Sequence, residues 1–245
     1  MSTGVLRWTT ACFSVLWTAI ASSDVVLDRT RIIYPMGTRE VSVQLTNEAD
    51  SPRQVQAWID TGDAQLPPEY SDVPFTLTPP IKRIDPGKGA PLRIVYQPSE
   101  APVPVADQEA LYWLNVLSVR PTATDATGGN TLQWAIRTRI KLFLRPVALA
   151  NGAADAASGL TWRLVGGQRT VVQVRNPSAF HVTLASVVLV VEGVEYPHHN
   201  PPMVAPRSAT QLSFDAPLKA PSGAASLRFS TVDDSGALRH HRQPL

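Results

Sequence analysis

From residue 25 onward the apolar positions recur mostly every second residue, the repeat of a β-strand with one covered face. Val41, Val43 and Leu45 alternate with Ser42, Gln44 and Thr46. Val55, Ala57 and Ile59 repeat the pattern with Trp58 opposite, and Leu92, Ile94 and Tyr96 repeat it again. Val25 to Tyr34 alternates around arginines, Phe75 to Thr78 is a short strand ended by Pro79-Pro80, and Leu111 to Val119 is a further apolar strand. Asp85-Pro86-Gly87-Lys88-Gly89 predicts a turn, because proline presets one φ and glycine supplies a positive one. A small polar loop, Pro121 to Asn130, precedes the longest strand candidate, Thr131 to Pro146. About seven short strands and no helical repeat predict an all-β sandwich up to residue 146.

Ala148 to Gly159 is rich in small residues and reads as an entry loop to a second domain. The strand pattern then resumes at Leu160 to Leu164, Thr170 to Val174, His181 to Val191, Thr210 to Phe214 and Ser226 to Val232. Asn176-Pro177, Pro197, Pro201-Pro202 and Pro206 separate these strands. The expected organisation is a leader over residues 1–21, one sandwich over 22–146 and a second over 147–245, without a close internal repeat.

The leader reading rests on Arg7 followed by an apolar stretch from Ala11 to Ile20, then Ala19-Ile20-Ala21, the small-x-small form of a cleavage site. The stretch is shorter than the ~20 residues that span a bilayer, against a membrane anchor. Thr9-Thr10-Ala11 is a poor approach to Cys12 for lipid attachment. Cys12 is the only cysteine in the sequence. Once it leaves with the leader, disulfides, Cys-zinc sites and thiol nucleophiles leave with it, and stability falls to two full-sized cores.

The 22 basic and 20 acidic residues give a formal charge of +2, without the basic excess of a nucleic-acid binder. No phosphate loop, dinucleotide fingerprint, Gly-x-Ser-x-Gly elbow or His-Glu-x-x-His occurs. His198-His199 and His240-His241 are expected to be solvated loop histidines. In a strand such neighbours point to opposite faces and do not chelate together. No metal and no cofactor is expected. Asp233-Asp234-Ser235-Gly236 reads as a turn first and an electrostatic partner second.

One segment stands out. In Thr131 to Pro146, Leu132, Trp134 and Ile136 share one face, and Arg137, Arg139 and Lys141 place three cations on alternate positions of the other. A strand covered on one side fits this pattern. So does a surface edge that recruits a partner.

Several separate motifs resemble the periplasmic pilus-assembly chaperones of the PapD type. These are Leu27-Asp28-Arg29-Thr30-Arg31 followed by Ile32-Ile33-Tyr34, then Gln56-Ala57-Trp58-Ile59, and Thr78-Pro79-Pro80 with Arg83-Ile84-Asp85-Pro86-Gly87. Leu92-Arg93-Ile94, the stretch from Asp107 to Val116, and Arg139 to Pro146 follow. Asn176-Pro177, Pro206-Arg207-Ser208 and Asp234-Ser235-Gly236 match more loosely. Ala110, where the family commonly has Ser, and Val119-Arg120-Pro121 depart from its pattern.

The resemblance implies two immunoglobulin-like β-sandwiches joined at an angle by a short hinge. It implies no enzyme activity, and a chaperone of the chaperone–usher pathway that completes fimbrial subunits with its own strand. Leu132, Trp134 and Ile136 would be the donor residues, and Arg31 and Lys141 the grip on the subunit's terminal carboxylate. Glu109, Arg145 and Asp234 would be an interdomain ion network, and Pro79 stands where the family can have a cis bond. The implied partners are fimbrial subunits, an outer-membrane usher and, when free, a second copy capping the exposed strand; the implied location is the periplasm. A structural fimbrial or adhesin component would carry its own donor extension and usually a disulfide. A secreted enzyme or carbohydrate-binding sandwich would want an aromatic platform or clustered carboxylates, whereas Trp58, Trp113, Trp134 and Trp162 lie on separate strands.

Overall fold

The computed structural model describes residues 24–97, 107–121, 134–165, 170–216 and 225–245. The leader, Leu132 and most of the loop before the long strand lie outside the described residues. The described chain is built of strands and three short 3-10 turns, arranged as two sandwiches.

In the first sandwich, β1 (Val25–Leu27), β3 (Val41–Asn47), β7 (Gly89–Tyr96) and β5 (Phe75–Thr78) form a sheet in the order β1-β3-β7-β5. The facing sheet runs β2-β9-β8-β4-β6, from β2 (Arg31–Pro35), β9 (Ala135–Arg145), β8 (Ala110–Val119), β4 (Arg53–Asp60) and β6 (Ile81–Ile84). The alternation read as one run from Val25 to Tyr34 is therefore two strands in two sheets. The chain crosses over at Asp28–Thr30, where the Asp28 N–H donates to the Gln44 carbonyl. Ile32, Tyr34, Val43, Ile94, Leu114, Leu142 and Leu144 are fully buried between the sheets, so the period-two pattern marks the inward faces.

The second sandwich pairs β10 (Thr161–Val165), β11 (Thr170–Arg175) and β14 (Ala209–Phe214) against β13 (Val194–His198), β12 (Thr183–Val191), β15 (Ser226–Val232) and β16 (Leu238–Pro244). Val172, Val174, Leu189, Leu212 and Leu227 fill its centre. Between the sandwiches, two of the 3-10 turns, Val147–Leu149 and Ala153–Asp155, occupy the stretch expected to be a loop.

Three strands escape the sequence pattern, and all three lie at sheet edges. β6 follows Pro79-Pro80 directly and is only four residues long. β13 contains Pro197, which an edge strand tolerates because its unpaired side needs no N–H. β16 is Leu-Arg-His-His-Arg-Gln-Pro, a polar edge that backbone pairing with β15 holds. His240 and His241 thus sit in a strand rather than a loop. The His241 ring stacks on Phe229 at 4.8 Å and shares a 2.9 Å hydrogen bond with Thr231 Oγ1. His198 ends β13, with its ring edge on Phe214 and its Nδ1 buried. These rings are packing elements.

The turn at Asp85 forms as the sequence predicts: the Lys88 N–H donates to the Asp85 carbonyl and Gly87 has φ +66°. The Thr78–Pro79 peptide is cis.

Candidate functional site: a cationic cleft at the end of an open strand edge

β9 pairs with β8 along its whole length, from Val119↔Ala135 to Ala110↔Leu144. Its other side is covered only over Lys141 to Arg145, by the parallel strand β2, with Arg31↔Lys141 as the first pair. Among the described residues, Ala135 to Ile140 present an open edge. Trp134 and Ile136 continue the line of Ile140, Leu142 and Leu144, the strand's core face, beyond the point where the opposing sheet covers it. Trp134 is 75% exposed and Ile136 48%. Large apolar side chains on an unpaired edge are what a sheet normally avoids.

Arg31 and Lys141 stand side by side where the open edge meets β2, and both reach the second sandwich. Arg31 Nη1 donates to the Val232 carbonyl at 2.9 Å, and Lys141 Nζ to Thr183 Oγ1 at 3.3 Å. Thr183 and Val232 are themselves partners in the β12–β15 register, so one adjacent pair meets another across the junction. Among the described residues neither cation has a carboxylate within ion-pair distance. Arg31 Nε is buried without an acceptor. Burial, and then the neighbouring Arg31 charge, pull the Lys141 ammonium down to about 8.

A second charge cluster lies beside this cleft, and its cation is paired. Arg145, at the end of β9, donates from Nε and Nη2 to Glu109 Oε1 at 2.9 and 2.8 Å, and from Nη1 to Asp234 Oδ2 at 2.7 Å. Glu109 in turn accepts the His181 backbone N–H at 2.9 Å and contacts that ring at 3.2 Å, while its own N–H donates to the Ala179 carbonyl. Asp234 is held by the predicted turn, where the Gly236 N–H donates to the Asp233 carbonyl with Gly236 at φ +89°. A Cβ at Gly236 would lie 2.6 Å from Thr30 Oγ1, so a larger residue there would have to displace the Thr30 side chain as well as strain the backbone at φ +89°. Glu109, Arg145 and Asp234 stand together as the resemblance implies, and His181, which the sequence marks only as one of five histidines, joins them.

The sequence reading also missed Asp60. This carboxylate, 0% exposed, lies on the outer face of the β9 sheet. It accepts Arg139 Nη2 at 2.6 Å and Asn115 Nδ2 at 2.7 Å, and Arg137 Nη2 stands 3.8 Å away. Burial raises its proton affinity, but the bonds from Arg139, Asn115 and the Gly62 N–H outweigh burial and hold it below the usual range. Arg137 stacks over Trp58 at 4.8 Å and Arg139 over Trp113 at 4.2 Å. The two tryptophans are on separate strands, as the sequence indicates, but β4 and β8 are neighbours and place them diagonally, with Trp58↔Asn115 and Asp60↔Trp113 in register. Of the three cations on this face, two are fixed and one is not.

A family model described as "Pili and flagellar-assembly chaperone, PapD N-terminal domain" matches residues 24–150, and "Pili assembly chaperone PapD, C-terminal domain" matches residues 155–243. The "Chaperone protein FimB/FhaD" of Bordetella pertussis is 38% identical over 220 residues, 89% of this chain and 86% of that protein. The "Probable fimbrial chaperone YadV" of Escherichia coli is 36% identical over 236 residues, 94% of each. The crystal structure of the YadV chaperone superposes with a TM-score of 0.77 at 33% identity, over 91% of this chain and all of that one. A structure of Salmonella enterica SafA pilin with the SafB chaperone gives 0.73 at 27% identity, over 91% and 96%. The two matched stretches fall on the two sandwiches, and the chain therefore belongs to the PapD-like family of pilus assembly chaperones, a non-enzyme class of two immunoglobulin-like β-domains.

Proposed function

We propose that this chaperone works in the periplasm, after loss of a leader ending at Ala21, and holds unfinished fimbrial subunits by strand addition before an outer-membrane usher receives them. The observation that carries this reading is the coincidence of an open, apolar-lined β9 edge with an unneutralised cation pair at its inner end. A subunit strand laid along Ala135 to Ile140 gains main-chain hydrogen bonds. Trp134 and Ile136, with Leu132 before them, enter the subunit's groove, each contributing roughly 1.5–3 kcal/mol when fully buried. Trp134 requires one deep site in that groove. The strand's terminal carboxylate arrives at Arg31 and Lys141, where it relieves their mutual repulsion and accepts charge-assisted hydrogen bonds. The Glu109–Arg145–Asp234 cluster sets the junction that brings Thr183 and Val232 to these cations. Free chaperone covers the same edge by pairing with a second copy.

The test is a periplasmic pull-down with a co-expressed fimbrial subunit, beside a Lys141→Ala version. A one-to-one complex that this change abolishes while the chaperone stays folded is the expected result. A complex indifferent to Lys141 removes the carboxylate grip, and no complex with any subunit removes the strand-addition reading.

A further inference from the structure

A strand held by its terminal carboxylate has a register problem that the charge pattern of β9 makes acute. Side chains alternate with period two, so a slip of one residue turns the wrong face to the groove, but a slip of two keeps every face correct. β9 carries cations at that same spacing: Arg137, Arg139 and Lys141. A carboxylate at Arg139 instead of Lys141 would leave the incoming strand displaced outward by about 6.6 Å, two strand residues, with every side chain still on its correct face. In the inward direction β2 blocks the edge, since Arg31↔Lys141 begins its pairing with β9. In the outward direction no strand among the described residues stands in the way.

We infer that Asp60 is the register-determining residue of this chaperone: it neutralises Arg139, and with Asn115 occupies Arg137, so that Lys141 is the one cation of the series left to capture a carboxylate. The inference rests on the carboxylate capture proposed above. Asp60 is fully buried, and its Oδ1 receives Arg139 Nη2 at 2.6 Å while Trp113 backs the guanidinium. Asn115 Oδ1 receives Arg137 Nε and Nη2 at 3.0 and 2.7 Å, and the Ala64 carbonyl receives Nη1 at 2.6 Å. Capture at Arg139 would strip a buried carboxylate of its best partner, a strongly unfavourable exchange. Lys141 offers no such resistance, being bonded only to the neutral Thr183 hydroxyl and stacked at 5.6 Å from Trp113. Asp60 touches no ligand in this scheme; it positions by withdrawing the wrong anchors.

The experiment uses the chaperone as exported, residues 22–245 and free of cysteine, and a synthetic peptide of a fimbrial subunit's last fifteen or so residues, as free acid and as C-terminal amide. One peptide cysteine is set to oppose position 138 when its carboxylate is at Lys141. Disulfide formation with Thr138→Cys or Ile136→Cys chaperones then reads the register. Wild-type Asp60 is expected to cross-link at 138. Asp60→Asn is expected to shift the product toward 136, and adding Arg139→Gln to return it to 138. Lys141→Gln should lose binding about 30-fold, whereas Lys141→Gln with Asp60→Asn should recover at least tenfold of it, in the shifted register. Cross-linking at 138 alone in Asp60→Asn, with no recovery in the double variant, overturns the inference. Should Asp60→Asn fail to fold, Arg139→Gln with Asp60 intact decides: affinity within about twofold of wild type and cross-linking at 138 support the role, and a loss as large as that of Lys141→Gln makes Arg139 an anchor and refutes it. Equal binding of acid and amide would overturn the carboxylate capture itself, and the register role with it; a preference for the acid without a register shift overturns only the register role.

Discussion

Two stretches of one strand carry like charges to opposite ends. At Arg137 and Arg139, β9 faces a buried carboxylate, an amide and two tryptophans, and both guanidiniums are fastened. Two residues on, Lys141 faces Arg31 and a threonine hydroxyl, and its ammonium is pulled down to about 8. The chain, the face and the spacing are the same, and the difference lies in what β4 and β2 place opposite: Asp60 in one case, a second cation in the other. A cation the fold neutralises serves the fold. A cation it leaves buried beside another is the one that, in the proposed function, a ligand carboxylate would pair with.

The sharpest way to break this comparison is to remove a fastened cation. Arg145 is 7% exposed and Glu109 2%, so Arg145→Ala leaves a buried carboxylate without its cation and should cost about 3–5 kcal/mol. The urea midpoint should fall accordingly, and a chain as stable as wild type would mean that His181 alone satisfies Glu109. Lys141→Ala should do the reverse. Stability should hold or rise, because a poorly solvated charge has gone, while subunit-peptide binding falls by about 1.5–3 kcal/mol, the worth of a charge-assisted hydrogen bond. Calorimetric titration checks the second part, and unchanged affinity would remove the carboxylate grip. Trp134→Ala should weaken binding by about 2 kcal/mol yet leave the thermal midpoint in place, since the side chain is 75% exposed; a lowered midpoint would show that Trp134 packs on its own domain.

The smallest effect is on pH. Lys141 in the fold titrates near 8, below its ordinary 10.5. At lower pH both folded and unfolded chains carry the proton and the penalty on the fold is complete. Between about 8 and 10.5 the folded chain has shed a proton that the unfolded chain keeps, so this group's contribution to stability improves as pH rises. Binding runs the other way. A carboxylate needs the protonated ammonium, so affinity is level below about 8 and falls by up to tenfold per unit above it. Arg31 from β2, Trp113 from β8 and Thr183 from β12 surround the group, and none of these neighbours loses a charge in that range. Lys141→Arg should flatten the profile, and a slope that persists in that variant would assign it elsewhere.

The division of legibility follows the same line. Alternating apolar residues mark every strand that buries a face, and Val41 to Leu45 or Leu92 to Tyr96 are read directly from their period. β6, β13 and β16 are edge strands that carry no such period and are held by backbone pairing to one neighbour, and Pro197 or the His240-His241 pair then reads as a loop. The cations of the site were visible for their spacing on β9 and, with Arg31, for their place in matching motifs. Asp60 was not, because it stands 79 residues from Arg139 and meets it only when β4 packs beside β8. For the same reason Trp58 and Trp113 read as dispersed in the sequence, although β4 and β8 make them diagonal neighbours. A partner across strands is a property of register, and single-strand periodicity is blind to register.

The meeting of Arg31 and Lys141 with the Thr183–Val232 pair also has a consequence in time. The first sandwich is complete once residue 145 is in place, but its cations acquire their far wall only from β12 and β15. The loop that carries Asp234 is closed later still, when Arg239 in β16 pairs with Asp233 at 2.8 Å. A chain emerging from its amino end therefore has an exposed strand well before it has a cleft, and the cleft is complete only once β16 has been made.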